Sequence, residues 1–374
     1  MNNTITITPN DFANYYGSYL KYWRDLDMIE SDCNIPDNAD ENYFINNWEY
    51  VSKYIKPEPI LSESSEKYSV FPIEYPTIWK LYRIQLENNW IVEDVDLSQD
   101  MNDWSKLPDA DRRYLTYNIA YFVLADGLVN CNLYENVIRV IKIKEAECCY
   151  AKQAEVENMH NHMYSLIAET FPNREERETI FGALENFPSI KRKAEWSKKW
   201  IDCDKTFAHK IIANAIVEGI FFSSAFASIF WIKSVHGSIL PGLRKANRFI
   251  SRDENSHVIT ACCMKDTLKN TLREEVVYEM FDDAVEVESQ FAKDALEEGL
   301  TGMNYELLIQ YIKYCSDRLL IELGYNKKYN CENPFEFMKK IDLFSKANFF
   351  EIRNDAYSDG KIDTDRVFQL VDDY

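Results

Sequence analysis

Two stretches of the chain set a glutamate and a histidine three positions apart: Glu157 and His160 in EVENMH, and Glu254 and His257 in DENSH. On a helix, positions i and i+3 share a face, so each stretch can aim one carboxylate and one imidazole at a single point. One such pair is most often a solvated surface pair. Here the pattern occurs twice, and each copy is preceded by a lone acid in an apolar segment: Asp126 in AYFVLADGLV and Glu218 in NAIVEGIFF. Unpaired carboxylates are costly to bury, and four that converge repel one another and resist ionisation. Two divalent cations balance four such charges. An oxygen-rich set with one imidazole per metal suits iron or manganese better than zinc.

Such a site needs four helices, each half supplying a carboxylate on one helix and Glu-x-x-His on the next, the arrangement of ferritin-like di-metal carboxylate proteins. The sequence permits it. No proline interrupts the stretches between Pro108 and Pro172, Pro188 and Pro241, or Pro241 and Pro334. Apolar residues such as Leu115, Ile119, Phe122 and Val123 recur at helical spacing, and period-2 alternation is largely absent after residue 70, so the expected class is all-α. Residues 211–232 are long and apolar enough to cross a bilayer, but Glu218 lies within them and no second such stretch exists, which predicts a helix buried in a bundle. Three regions are expected: an N-terminal appendage over 1–60 that includes a loop at IPDNADENY, a helical di-metal domain over 61–350, and a flexible acidic tail over 351–374.

Composition narrows the function. The 374 residues, 46% of them apolar and 14% aromatic, can bury a large core, and a formal charge of −20 argues against a nucleic-acid binder. Nine cysteines without CxxC spacing read as reduced thiols, and MNNTITITPNDF lacks the basic and apolar regions of a secretory signal, so a cytoplasmic location is expected. No Gly-rich loop or basic cluster offers a nucleotide pocket.

From about Glu58 to Tyr374 the chain resembles the small, radical-generating subunit of class I ribonucleotide reductase, in its eukaryotic and viral form. The likeness is carried by VFPIEYPTIWKLY, YFVLADGLVN, ENMHNHMYSL, VEGIFFSSAFASIFW, PGL, ISRDENSH, GMNYELLIQYI, ENPFEFM and FQLVDDY. It implies one metal on Asp126, Glu157 and His160 and another on Glu218, Glu254 and His257, normally two irons bridged by oxide when oxidised, with manganese or a mixed pair fitting the same ligands. Tyr164, one turn beyond His160, matches the tyrosine that becomes a stable radical at the expense of dioxygen. Phe222 and Phe226, at i+4 and i+8 from Glu218, share its stripe and with Ile250 would form the apolar pocket of that radical. Asp253 projects about 100° from Glu254 and cannot share its metal. The resemblance instead has it bond His160, with Trp90 on its other side and Tyr357 in the tail as radical-transfer residues.

The same resemblance implies a homodimer and a large subunit that reduces ribonucleoside diphosphates, docked through Phe368, Leu370 and Tyr374. His162 and Cys131 stand where the family is commonly acidic, and both lie off the ligand face. His209 and His236 fall outside any ligand spacing and read as structural. A di-iron oxygenase or desaturase, or a ferritin-like iron store, is the alternative. Asp126 as the lone aspartate ligand, Tyr164 and the ending FQLVDDY disfavour both.

Overall fold

Among the described residues, eight helices of at least 12 residues carry the fold: α1 (Pro76–Glu87), α2 (Asp109–Asn132), α3 (Lys144–Thr170), α4 (Pro188–Ile201), α5 (Phe207–His236), α6 (Pro241–Thr267), α7 (Glu274–Ala295) and α8 (Tyr305–Glu322). The computed structural model describes residues 35–338, apart from 37, 55–57, 171–173, 202–204 and 298. Among these residues there is no strand, and one isolated bridge joins Leu300 to Met303. The all-α expectation holds.

Helix α2 lies along α3, α6 packs on α3 and α1, and α5 packs on α6 and α2, so the four segments with the lone acids and the Glu-x-x-His pairs form one bundle. Helix starts are set by local chemistry. Asp109 and Asp111 occupy the first turn of α2, where the helix dipole favours anions. Thr206 caps α5 by accepting the His209 N–H, and Asn304 caps α8 by accepting the Leu307 N–H. Helix α6 is started from outside: Pro241 takes its first turn, and the Asp100 carboxylate accepts the Gly242 and Leu243 N–H groups at 3.0 and 2.6 Å. A side chain at position 242 would meet the Asp96 carbonyl oxygen at 2.3 Å, so glycine is required there.

Helix α5 is the segment apolar enough to span a membrane, and it is buried inside the bundle. It is interrupted by a π-helical turn over Val217–Phe221 that contains Glu218. The loop expected at IPDNADENY is shorter than anticipated. Asp40 caps a helix over Glu41–Asn46 by accepting the Tyr43 N–H at 2.9 Å, so an acid typical of loops starts a helix. The tail residues Tyr357, Phe368, Leu370 and Tyr374, and the first 34 residues of the appendage, lie outside the described residues.

Candidate metal centre

Asp126 comes from α2, Glu157 and His160 from α3, Glu218 from the π turn of α5, and Glu254 and His257 from α6. None of the six is more than 2% exposed. Glu157, Glu218, Glu254 and His257 each offer a ligand atom, and these four atoms lie within 4.8 Å of one another.

The two glutamates of the Glu-x-x-His pairs span the gap between the imidazoles. Glu157 has one oxygen 2.9 Å from His257 Nδ1 and the other 3.4 Å from His160 Nδ1. Glu254 has one oxygen 2.9 Å from His160 Nδ1 and the other 2.9 Å from His257 Nδ1. Each Glu-x-x-His pair therefore reaches the histidine of the other half as well as its own. Glu218 is held by Gln153, whose amide donates to Glu218 at 3.1 Å and to Glu157 at 3.3 Å.

Both Asp126 oxygens are buried with no hydrogen-bond partner among the described residues, while Glu157 Oε2 and Glu254 Oε1 are turned toward the same atom, His160 Nδ1. Buried polar groups are almost always paired, and leaving one unpaired costs roughly 1–3 kcal/mol. Carboxylates that turn their oxygens toward one another and toward two imidazoles fit a set of donors built for cations, and the oxygen-rich composition fits hard or borderline metals.

Charge in the cluster is distributed accordingly. Burial, and then the neighbouring Glu157, hold the Asp126 carboxyl well above its ordinary range; burial and Glu254 do the same to Glu218. Burial alone would depress both imidazoles, but the surrounding carboxylates outweigh it. His257 is raised to about 10 by Glu157 and Glu254, and His160 is raised by Asp253, Glu157 and Glu254. Burial opposes ionisation of Glu254 too, yet the charge of His257, with hydrogen bonds from Glu218, His160 and His257, keeps it below its ordinary range. Raised imidazoles and two carboxyls that resist ionisation lower the negative charge of the cluster, which a metal pair would also do.

Tyr164 is fully buried and its hydroxyl has no hydrogen-bond partner among the described residues. Burial, and then Asp126, push its phenol well above the ordinary value. Its ring stacks on Phe122, centroids 4.3 Å apart. Phe226 and Phe222 pack on the other sides of Phe122 at 5.2 and 6.0 Å, and Ile250 is buried. The stripe expected for Glu218, Phe222 and Phe226 rested on uninterrupted α spacing. A π turn at Val217–Phe221 interrupts that spacing, Phe226 lines one cavity with Glu218, and both phenylalanines approach the surroundings of Tyr164 through Phe122.

Asp253 Oδ2 accepts the Trp90 indole N–H at 2.7 Å and lies 3.3 Å from His160 Nε2, while Arg252 holds its other oxygen at 3.1 Å. Trp90 also stacks on His160, 6.2 Å between centroids. Metal-bound imidazoles commonly donate their distal N–H to a carboxylate in this way. His162 and Cys131 are exposed. His209 bonds the Thr206 hydroxyl at 2.8 Å, and His236 pairs with Asp111 at 2.6 Å.

Phe122 and Gln153 are absent from the ligand, relay and pocket residues expected from sequence. Each stands one turn before a candidate ligand, Phe122 before Asp126 and Gln153 before Glu157, so helical spacing could have found them.

The profile of the family described as "Ribonucleotide reductase, small chain" matches residues 67–334. The ribonucleoside-diphosphate reductase small chain of Acanthamoeba polyphaga mimivirus is 51% identical over 328 residues, 87% of this chain and 79% of that one. Ribonucleoside-diphosphate reductase subunit M2 of Danio rerio is 42% identical over 325 residues, 86% of this chain and 84% of that one. Among solved structures, a ribonucleotide reductase homodimer from Saccharomyces cerevisiae superimposes with a TM-score of 0.70 at 30% identity, covering 85% of this chain and 99% of that one.

Proposed function

The chain belongs to the ribonucleotide reductase small-chain family, and from that membership we propose that its buried cluster holds two metal ions that oxidise Tyr164. The enzyme is a ribonucleoside-diphosphate reductase, of which this chain is the small subunit working with a large one; relatives matched over most of its length are named for that activity. The observation that carries the di-metal reading is the geometry of Glu157 and Glu254, each with one oxygen beside His160 and the other beside His257.

Asp126, Glu157 and His160 would hold one ion, and Glu218, Glu254 and His257 the other. Iron is the preferred metal, and manganese suits the same donors. When bound, the pair supplies the one-electron oxidation of Tyr164 at the expense of dioxygen. The chain's own residues do the rest. Phe122, Phe222, Phe226 and Ile250 exclude water and reductants from the phenol. Tyr164 gives up its proton along with its electron, and of the acids around it Asp126 acts most strongly on the phenol. Trp90 and Asp253 connect His160 toward the surface, and Tyr357 would continue that path to the large subunit.

A homodimer, as in the yeast relative, is part of the same reading, as is a cytoplasmic location. Phe368, Leu370 and Tyr374 are proposed as the anchors that seat the tail on the large subunit, apolar and aromatic groups being the usual source of affinity in such contacts. The test is a titration with ferrous ion under anaerobic conditions, followed by assay with the large subunit, on the full chain and on a chain lacking 368–374. Both should take up two metals per chain, and only the full chain should support nucleotide reduction. Uptake of fewer than two metals by the full chain would contradict the di-metal reading. Full activity of the shortened chain would remove the tail from docking.

A further inference from the structure

Behind the aromatic cluster lies a buried charge that plays no part in the chemistry above. Lys193 of α4 is 2% exposed, and its ammonium sits 2.7 Å from the carboxylate of Glu288 on α7, which is fully buried. Glu288 also accepts the Ser224 hydroxyl from α5. The ammonium lies over two ring faces, 3.8 Å from the centroid of Tyr121 and 3.7 Å from that of Phe291. Tyr121 is 3% exposed and belongs to the same aromatic cluster as Tyr164: its ring is 6.0 Å from Phe122 and 5.7 Å from Phe222, and Phe122 carries Tyr164.

The cluster thus contains two buried phenols within reach of one oxidant, differing in their neighbours. Tyr164 has a neutral ring on its face, and Tyr121 has a cation on its face. A cation over a ring is attracted to the π electrons, so withdrawing an electron from that ring replaces attraction by repulsion. We propose that Lys193 is a positioning residue for the radical, its ammonium keeping Tyr121 reduced so that the oxidising equivalent rests on Tyr164. Glu288, itself anchored by the Ser224 hydroxyl, holds the ammonium in place, and its carboxylate neutralises a charge that burial alone would disfavour. The exchange that Lys193 suppresses is balanced: the Tyr121 O–H bond breaks and yields one electron and one proton, and the Tyr164 phenoxyl accepts both and regains its O–H bond. Burial and the Glu288 carboxylate raise the Tyr121 phenol well above its ordinary value, so a hole arriving there must move with the proton.

The inference rests on the reading of Tyr164 as the oxidised residue, and the test separates the two. Electron paramagnetic resonance spectra are recorded after metal loading and oxygen exposure for the wild type, Lys193→Met/Glu288→Gln, which removes both charges together, and Lys193→Arg, which keeps the cation. Each is repeated with Tyr121→Phe and with Tyr164→Phe. Losing a desolvated cation–π contact should raise the share of spin on Tyr121 roughly tenfold or more. A second tyrosyl signal should therefore appear in the charge-free variant, vanish with Tyr121→Phe, and be absent from Lys193→Arg. With Tyr164→Phe, that Tyr121 signal should remain in the charge-free background and be absent when Lys193 is intact. A Tyr121 signal of equal size with and without the ammonium would overturn the proposal. A charge-free protein that folds and loads metal but shows only the wild-type signal would overturn it equally. If the wild-type radical instead survives Tyr164→Phe, the assignment of Tyr164 is what fails. The effect of Lys193 on Tyr121 is still read from the Tyr121→Phe pairs.

Discussion

Tyr164 and Phe122 stack face to face, their centroids 4.3 Å apart and their planes within 2°. The Tyr164 hydroxyl has no hydrogen-bond partner among the described residues, so the phenol is held by packing alone. That arrangement suits a residue whose oxidised form must persist, because a neutral apolar ring offers neither an electron nor a proton.

Replacing Phe122 should shorten the life of the oxidised tyrosine without preventing its formation. Phe122→Leu keeps most of the volume, whereas Phe122→Ala opens a cavity costing roughly 3–5 kcal/mol of stability. The decay of the radical signal in the presence of a small reductant, compared with the wild type at equal metal content, is the measurement. An unchanged decay in Phe122→Leu would mean that the stacked ring is not the shield.

Metal loading should release protons. His257, raised to about 10, carries a proton at neutral pH in the metal-free chain, His160 is raised as well, and Asp126 and Glu218 resist ionisation. Ligands must shed their protons to bind, so affinity rises with pH. The stability of the metal-free protein runs the other way. Groups whose folded pKa is raised bind more protons folded than unfolded, so their contribution is present at low pH and lost as pH rises through the folded values. From about pH 6 to about pH 8.5 the melting temperature of the metal-free chain should fall while its ferrous affinity increases. Calorimetry in two buffers of different ionisation enthalpy measures the protons released; no release on binding would contradict this charge distribution.

Trp90 and Asp253 should separate relay from ligation. Trp90→Phe leaves Asp253 beside His160, so metal uptake should stay near normal while nucleotide reduction with saturating large subunit falls. Asp253→Ala removes the partner of His160 at 3.3 Å, and loss of such a partner typically costs ~10–100-fold in metal affinity as well. Equal metal affinities in the two variants would show that Asp253 does not orient His160.

How much of this was legible in the sequence follows from the physics of each part. The buried cluster of Glu157, Glu218, Glu254 and His257 was legible because side chains that meet from helices demand fixed spacing, and an acid in an apolar stripe such as Glu218 has few other uses. Phe122 and Gln153 obey the same spacing but are residue types found in any helix, so nothing in their chemistry set them apart. The π turn around Glu218 has no composition signature, so the interruption of the helix there was not legible. Lys193 and Glu288 belong to helices far apart in the chain, and as letters they resemble any two surface charges. Their pairing exists only once α4 and α7 have packed together.

The central claim is that the buried cluster oxidises Tyr164 and no other residue, and electron paramagnetic resonance after anaerobic loading with ferrous ion and admission of oxygen tests it most directly. The wild type should give a tyrosyl signal stable long after the oxygen is consumed. Tyr164→Phe should bind the same two metals and consume oxygen while giving no stable signal. A wild-type-like radical in Tyr164→Phe, at equal metal content, would contradict the account.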